Sequence, residues 1–281
     1  MYIVGMSDVH VVKHRKGISS SQVSVLELLC KFRFASIELL VKSLNLKTVP
    51  GLRRKLKMLV EQGYAGIRYD RSYKIKGKPA AYYITAKGLK ALRDLPGHDH
   101  IDERFIKSCY RDKTIKEEFI NQHLILYRAS HELKRLYPDI KFFTRRDLIP
   151  YTHFPADPPG AFLALKAEGQ ADTKRFFLDI IPDSMPRYLL DGMIARYVEY
   201  FEAGGWDVTE SELPTMLLLC ESVTTEKRVI RQAAKKLQSL HSDEPKYLTS
   251  TIHALRNATR NEKNIWSDVD DPDELMTLAE N

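Results

Sequence analysis

One stretch of this 281-residue chain carries more positive charge than the whole of it. Residues 47–90 hold twelve basic side chains (Lys47, Arg53, Arg54, Lys55, Lys57, Arg68, Arg71, Lys74, Lys76, Lys78, Lys87 and Lys90) against Glu61 and Asp70, a net of +10 where the chain totals +7. The rest of the molecule is therefore slightly acidic. A segment this charged folds as short elements, each with one apolar stripe and one solvated face. Charge concentrated in this way is the footprint of a protein that meets a polyanion, most often nucleic acid.

The apolar positions say how the segment folds. Residues 21–32 place Val25, Leu26, Leu28, Leu29 and Phe32 on one side of a first helix. A second helix follows from Ser36, a capping residue, through Leu44. After a break at residues 45–47, Thr48 can cap a third helix, and Pro50 fits its first turn because early helix amides have no internal partner. Along it Leu52, Leu56, Leu59 and Val60 form the inward stripe while Arg53, Arg54 and Lys57 project outward, and Gly63 stops it. Two short helices joined by a tight turn, the second basic on its outer face, make a helix-turn-helix. Residues 64–69 and 80–85 alternate like strands around Arg71-Ser72-Tyr73-Lys74-Ile75-Lys76-Gly77-Lys78-Pro79, a cationic hairpin tip. With the exit Tyr82-Tyr83-Ile84-Thr85-Ala86-Lys87-Gly88-Leu89, this resembles the close of bacterial winged-helix domains. The resemblance implies that Arg53, Arg54 and Lys57, with Thr48 at the helix start, face the major groove, and that Arg68, Arg71, Lys74, Lys76 and Lys78 meet the flanking backbone. A small protein-binding winged helix with a solvated charged surface is the competing reading.

The length accommodates two domains, each with its own core. The expected division is a winged-helix domain at 1–95, a linker at 96–113 opened by Leu95-Pro96-Gly97-His98-Asp99-His100, an α/β domain at 114–265, and an acidic tail at 266–281. From 267 to 281 there are six acidic residues and no basic one, so the tail reads as flexible. The His-Asp-His cluster reads as solvated hinge residues in preference to a metal site. Cys30, Cys109 and Cys220 stand too far apart for a disulfide framework or a zinc pattern, which points to a reducing cytoplasm. No apolar run reaches the ~18 residues that span a bilayer, so no membrane partner is expected. Asp8, His10 and Lys13 interrupt the amino terminus and argue against a signal peptide.

The second half reads helix (114–137), three strands (140–144, 162–165, 175–181), helix (186–202), strand (215–220) and helix (226–240), an α/β order within a chain that is α+β overall. His123 and His131 read as packing residues on the first of these helices. Asp157 in Pro155-Ala156-Asp157 and Asp179 in Asp179-Ile180-Ile181 resemble the acidic positions of the PD-(D/E)xK nuclease core. That resemblance implies a Mg²⁺ held by Asp157 and Asp179, with Glu117 or Glu118 as a further ligand, because hard oxygens at neighbouring strand ends suit an octahedral divalent ion. The chain departs from the pattern at Ile181, where a lysine is expected, and Gly192-Met193 offers no lysine on the following helix. Arg187 and Arg196, the nearest cations, do not replace it, since arginine stays protonated. A degenerate core without catalysis and without cofactor is the favoured expectation.

Head, connector and core together, through the wing exit at 83–89 and Arg196-Tyr197-Val198-Glu199-Tyr200-Phe201, resemble the replication-relaxation family of plasmids and conjugative elements. The resemblance implies a double-stranded DNA-binding accessory factor in mobilisation or origin processing, acting beside a relaxase or another origin-processing protein. Its carboxyl-terminal domain would provide assembly, as in a homodimer, or a second DNA contact. A Mg²⁺-dependent endonuclease and a winged-helix transcriptional regulator are the alternatives.

Overall fold

In the computed structural model, the structure describes residues 17–69, 71–75, 77–166, 172–242 and 244–279. The expectations placed on the first sixteen residues and on Lys76 lie outside these, as does most of the 168–172 turn. The fold is mixed α/β, built around a seven-stranded sheet with a smaller three-stranded sheet before it.

The amino-terminal head begins with α1 (Ser20–Phe32), β1 (Phe34–Ala35), α2 (Ile37–Ser43) and α3 (Val49–Glu61). It continues through β2 (Ala65–Arg68), α4 (Arg71–Ile75), β3 (Ala81–Ile84) and α5 (Ala86–Arg93). The three strands pair antiparallel in the order β1-β3-β2. Val25, Leu26 and Leu29 of α1, Leu39 and Leu40 of α2, and Leu52, Leu56 and Leu59 of α3 converge on one core, each at most 2% exposed. Burying such a side chain stabilises by about 1.5–3 kcal/mol, which is what holds short helices in place. Gly63, at φ 76°, ends α3 in the left-handed conformation expected of a helix stop. The segment between β2 and β3 is not the open hairpin tip expected from its composition: residues 71–75 wind into α4, and Tyr73 turns into the protein at 4% exposure.

The expected linker is a folded part of the molecule. Residues 103–108 form α6 (Glu103–Ser108), a 3-10 turn covers Cys109–Lys113, and Ile101, Phe105, Ile106 and Cys109 are buried. Next, α7 (Glu117–Leu136) leads into β4 (Lys141–Thr144), β5 (Ala161–Lys166), β6 (Thr173–Ile181), α8 (Arg187–Glu202), β7 (Thr215–Cys220) and α9 (Val223–Leu240). Then come β8 (Tyr247–Thr251), α10 (Ile252–Asn257), β9 (Trp266–Asp268) and β10 (Leu275–Met276). The sheet order is β10-β9-β8-β7-β6-β5-β4, with β6, β7 and β8 parallel to one another and the other pairings antiparallel. Central β7, Thr-Met-Leu-Leu-Leu-Cys, is covered on both faces, which explains its unbroken apolar run.

Two successive crossovers in one direction, β6-α8-β7 and β7-α9-β8, place α8 and α9 on the same face of the sheet. There Phe177, Ile181, Met216, Leu218 and Cys220 pack against Leu190, Ile194, Val198, Val229 and Ala233. The other face, through Phe176, Leu178, Leu217 and Leu219, joins α7 and the head in one continuous core. The end of the chain belongs to this structure as well. Trp266 is fully buried, Leu278 is 2% exposed, and the Tyr137 and Thr277 hydroxyls are 2.9 Å apart. The flexible acidic tail expected at 266–281 is therefore, over its described residues, two strands and a buried anchor, with Asp268 paired to Lys246 at 3.0 Å and Asp270, Asp271, Asp273 and Glu274 exposed.

Candidate nucleic-acid interface

The outer face of α3 carries Arg53, Arg54 and Lys57, all exposed. At a helical turn of 100° per residue these three fall within one arc of about 100°, opposite Leu52, Leu56 and Leu59. Lys57 makes only an open i,i+4 pair with Glu61 at 3.7 Å. Arg54 also borders a groove between α3 and the start of α1 that includes Lys55, Met58, Gln22 and Lys87. Thr48 occupies the cap position of α3 with extended backbone, but its side chain makes no capping hydrogen bond and is exposed.

The cations expected on the wing divide. Lys74 is exposed on α4. Arg71 opens that helix, and its side chain, like all of Lys76, lies outside the described residues. Arg68 and Lys78 are engaged within the protein: Arg68 donates to the Asp112 carbonyl at 3.2 Å, and Lys78 pairs with Glu117 at the start of α7. Only part of the expected cationic hairpin is thus presented outward. Sequence pattern placed Arg68 on its strand and Lys78 in the connection to the next one, but held no sign of acceptors arriving from residues 112–117.

Those acceptors belong to a joint between head and body. Asp112 is fully buried and takes Arg33 through Nε (2.8 Å) and Nη2 (2.6 Å), with Arg146 Nη2 at 3.4 Å. Arg146 also donates to the Cys30 carbonyl at 2.9 Å, and burial pushes the Cys30 thiol up to about 11. Phe32 stacks on Tyr127 of α7 with centroids 3.7 Å apart. His123 donates from Nδ1 to the Phe119 carbonyl at 2.9 Å, and burial drives its pKa down to about 3. His131 meets Ser43 of α2 at 2.8 Å, and burial lowers it to about 4. Both histidines are packing residues of this joint.

The acidic residues of the nuclease-like pattern are not gathered into a metal site. Asp179 is half-buried on β6, with Oδ1 accepting from the Gly160 amide and Oδ2 from the Tyr197 hydroxyl, each at 2.8 Å. Burial raises its pKa, against the opposing pull of those two donors. Asp157 lies half exposed on the loop before β5, clamped by Arg145 at 2.7 Å and Arg196 at 2.9 Å. Glu118 is exposed in the first turn of α7, and neighbouring Glu117 is bound to Lys78. Among the described residues no three histidine, cysteine, aspartate or glutamate side chains come together in a group that could hold a metal ion. A divalent ion at Asp157 and Asp179 would have to displace two guanidinium groups and two neutral donors, so these residues as arranged do not fit one. Arg145 was absent from the expected site, where Arg196 entered only as a cation near the missing lysine.

No helix among the described residues is long and apolar enough to cross a membrane. Comparison of the chain with protein-family models, with curated proteins and with solved structures finds no match to any of them.

Proposed function

We propose that the protein binds double-stranded DNA through a winged-helix head, with α3 lying in the major groove and Lys74 beside the flanking backbone. The observation that carries this reading is the outer face of α3, where Arg53, Arg54 and Lys57 share one exposed arc on a helix anchored by three buried leucines. The order helix, strand, two helices, strand pair and closing helix supports it, because that arrangement leaves the third helix as the exposed edge of the head. Guanidinium groups can read guanine bidentately, at about 1–3 kcal/mol per good contact, and phosphate contacts supply the remaining affinity. A role as accessory factor in mobilisation or origin processing, beside a relaxase, follows from the sequence resemblance alone.

The test is duplex binding by the full chain and by the variant Arg53→Ala/Arg54→Ala/Lys57→Ala. The variant is expected to lose at least about tenfold in affinity, with the slope of log K against log salt falling by about one per phosphate contact removed. Unchanged affinity would overturn the reading. Genome-wide mapping of bound sites separates an origin from promoters, the latter being the signature of a transcriptional regulator.

A further inference from the structure

A second cationic surface lies between α8 and α9, on the sheet face opposite the head. It is a groove of about 520 Å³ whose charged lining is Arg187, Arg228, Arg231, Lys235 and Lys236 against Asp191 alone, a net of +4. Along α9, residues 228, 231, 232, 235 and 239 recur at i, i+3, i+4, i+7 and i+11, which places them on one stripe opposite buried Val229, Ala233 and Leu237. The acid in the groove is already engaged. Gln232 donates from Nε2 to Asp191 at 2.8 Å and to the Arg187 carbonyl at 2.6 Å, tying α9 to α8.

Arg228 gives Nη1 to the Met185 carbonyl at 2.8 Å, while its Nε and Nη2 have no acceptor among the described residues. These donors are buried behind the groove wall, as is Gln232 Oε1, which also lacks a partner among the described residues, so the cations on the groove surface are what favour a negatively charged ligand.

The shape of the site decides which anion. The cations of the stripe, from 228 to 235, span about 10 Å along the helix, too long for one phosphate group. Each strand of a duplex carries a phosphate about every 3.4 Å of axis, so the cationic span matches a run of about three. It is a half-open trough lined, among the described residues, by side chains of α8 and α9. We infer that the α8–α9 groove is a second nucleic-acid surface, binding the phosphate backbone of duplex DNA without reading its bases. The inference rests on the DNA-binding reading above for its choice of ligand and extends that reading to the opposite side of the molecule.

The experiment measures binding of the full chain to a random-sequence 30-base-pair duplex across a salt series. Wild type, the α3 triple variant and Arg231→Ala/Lys235→Ala/Lys236→Ala are compared, with thermal melting to verify that each is folded. Arg231 and Lys235 are exposed and Lys236 is half-buried, so the groove variant is expected to melt as wild type does. It should lose about tenfold in affinity, and its salt slope should fall by about two to three, while any preference among sequences survives. Wild-type affinity and slope in the groove variant would overturn the inference. Loss in the groove variant together with no loss in the α3 variant would sustain the inference and remove the proposed role of the head. A wild-type chain without affinity for the duplex at low salt would remove both.

Discussion

Asp179 sits in the apolar layer between β6 and α8 because two donors meet it there, the Gly160 amide and the Tyr197 hydroxyl. Its role in this arrangement is structural. Asp179→Ala strands both donors in a partly buried setting, at about 1–3 kcal/mol each, so a loss of roughly 2–6 kcal/mol is expected in urea unfolding. Asp179→Asn keeps an acceptor for one donor and should cost less. His123 gives a pH dependence of definite sign. Its folded pKa of about 3 lies below the ordinary 6.5, so the unfolded chain binds more protons and stability falls as pH drops from about 6.5 toward 3. Between pH 7 and 5 the loss from His123 alone is about 2 kcal/mol. His131 contributes in the same direction, by less than its shift implies because it is more open to solvent. Melting temperature followed from pH 7 to 5 should decline less steeply in His123→Gln than in wild type.

At the scale of elements, α3 has its inner and outer faces set by the spacing of Leu52, Leu56 and Leu59. Among the described residues its three outward cations carry no structural bond apart from the Lys57–Glu61 pair, and exposed pairs of this kind contribute about 0.3–0.5 kcal/mol. Arg53→Ala/Arg54→Ala/Lys57→Ala should therefore leave the melting temperature within about 2 °C of wild type while DNA affinity drops, which separates an interface defect from a folding defect. Most elements of the body were legible for the same reason: the periodicities of residues 114–137, 186–202 and 226–240 specify helices, and the apolar runs at 162–165, 175–181 and 215–220 specify strands, each within a few residues of the observed bounds. The connector was not. Pro96, Gly97 and the His-Asp-His run gave 96–113 the composition of a linker, whereas Ile101, Phe105, Ile106 and Cys109, spaced i, i+4, i+5 and i+8, already held the pattern of a buried helical turn. The cations of α9 at 228, 231, 235 and 236 were equally visible at i, i+3, i+7 and i+8, but a basic helical face is ordinary solvated surface until a second helix makes a groove of it.

Across the whole molecule, head and body are held together by a buried charge cluster and a shared apolar core. Asp112, at the end of the folded connector, binds Arg33 from the head and Arg146 from the body, and removing one partner of such a cluster costs about 3–5 kcal/mol. Asp112→Ala is expected to lower the unfolding free energy by that amount. It should also loosen the head from the body, seen as new protease sensitivity between residues 96 and 116. Equal stability and protection in the variant would show that the apolar contacts, led by Phe32 on Tyr127, suffice without the charges.

Taken alone, the sequence determined the positions of most helices and strands, the basic outer face of α3 and the concentration of charge in residues 47–90. These are consequences of local periodicity, which neighbouring residues settle among themselves. Only the tertiary structure decided that Arg68 and Lys78 face inward to the 112–117 segment, that Asp157 is clamped by two arginines, and that the acidic end completes the sheet. Each of these depends on groups more than ten positions apart meeting in space. A side chain's charge is written in the chain, but whether water, DNA or a distant carboxylate satisfies it is set by packing.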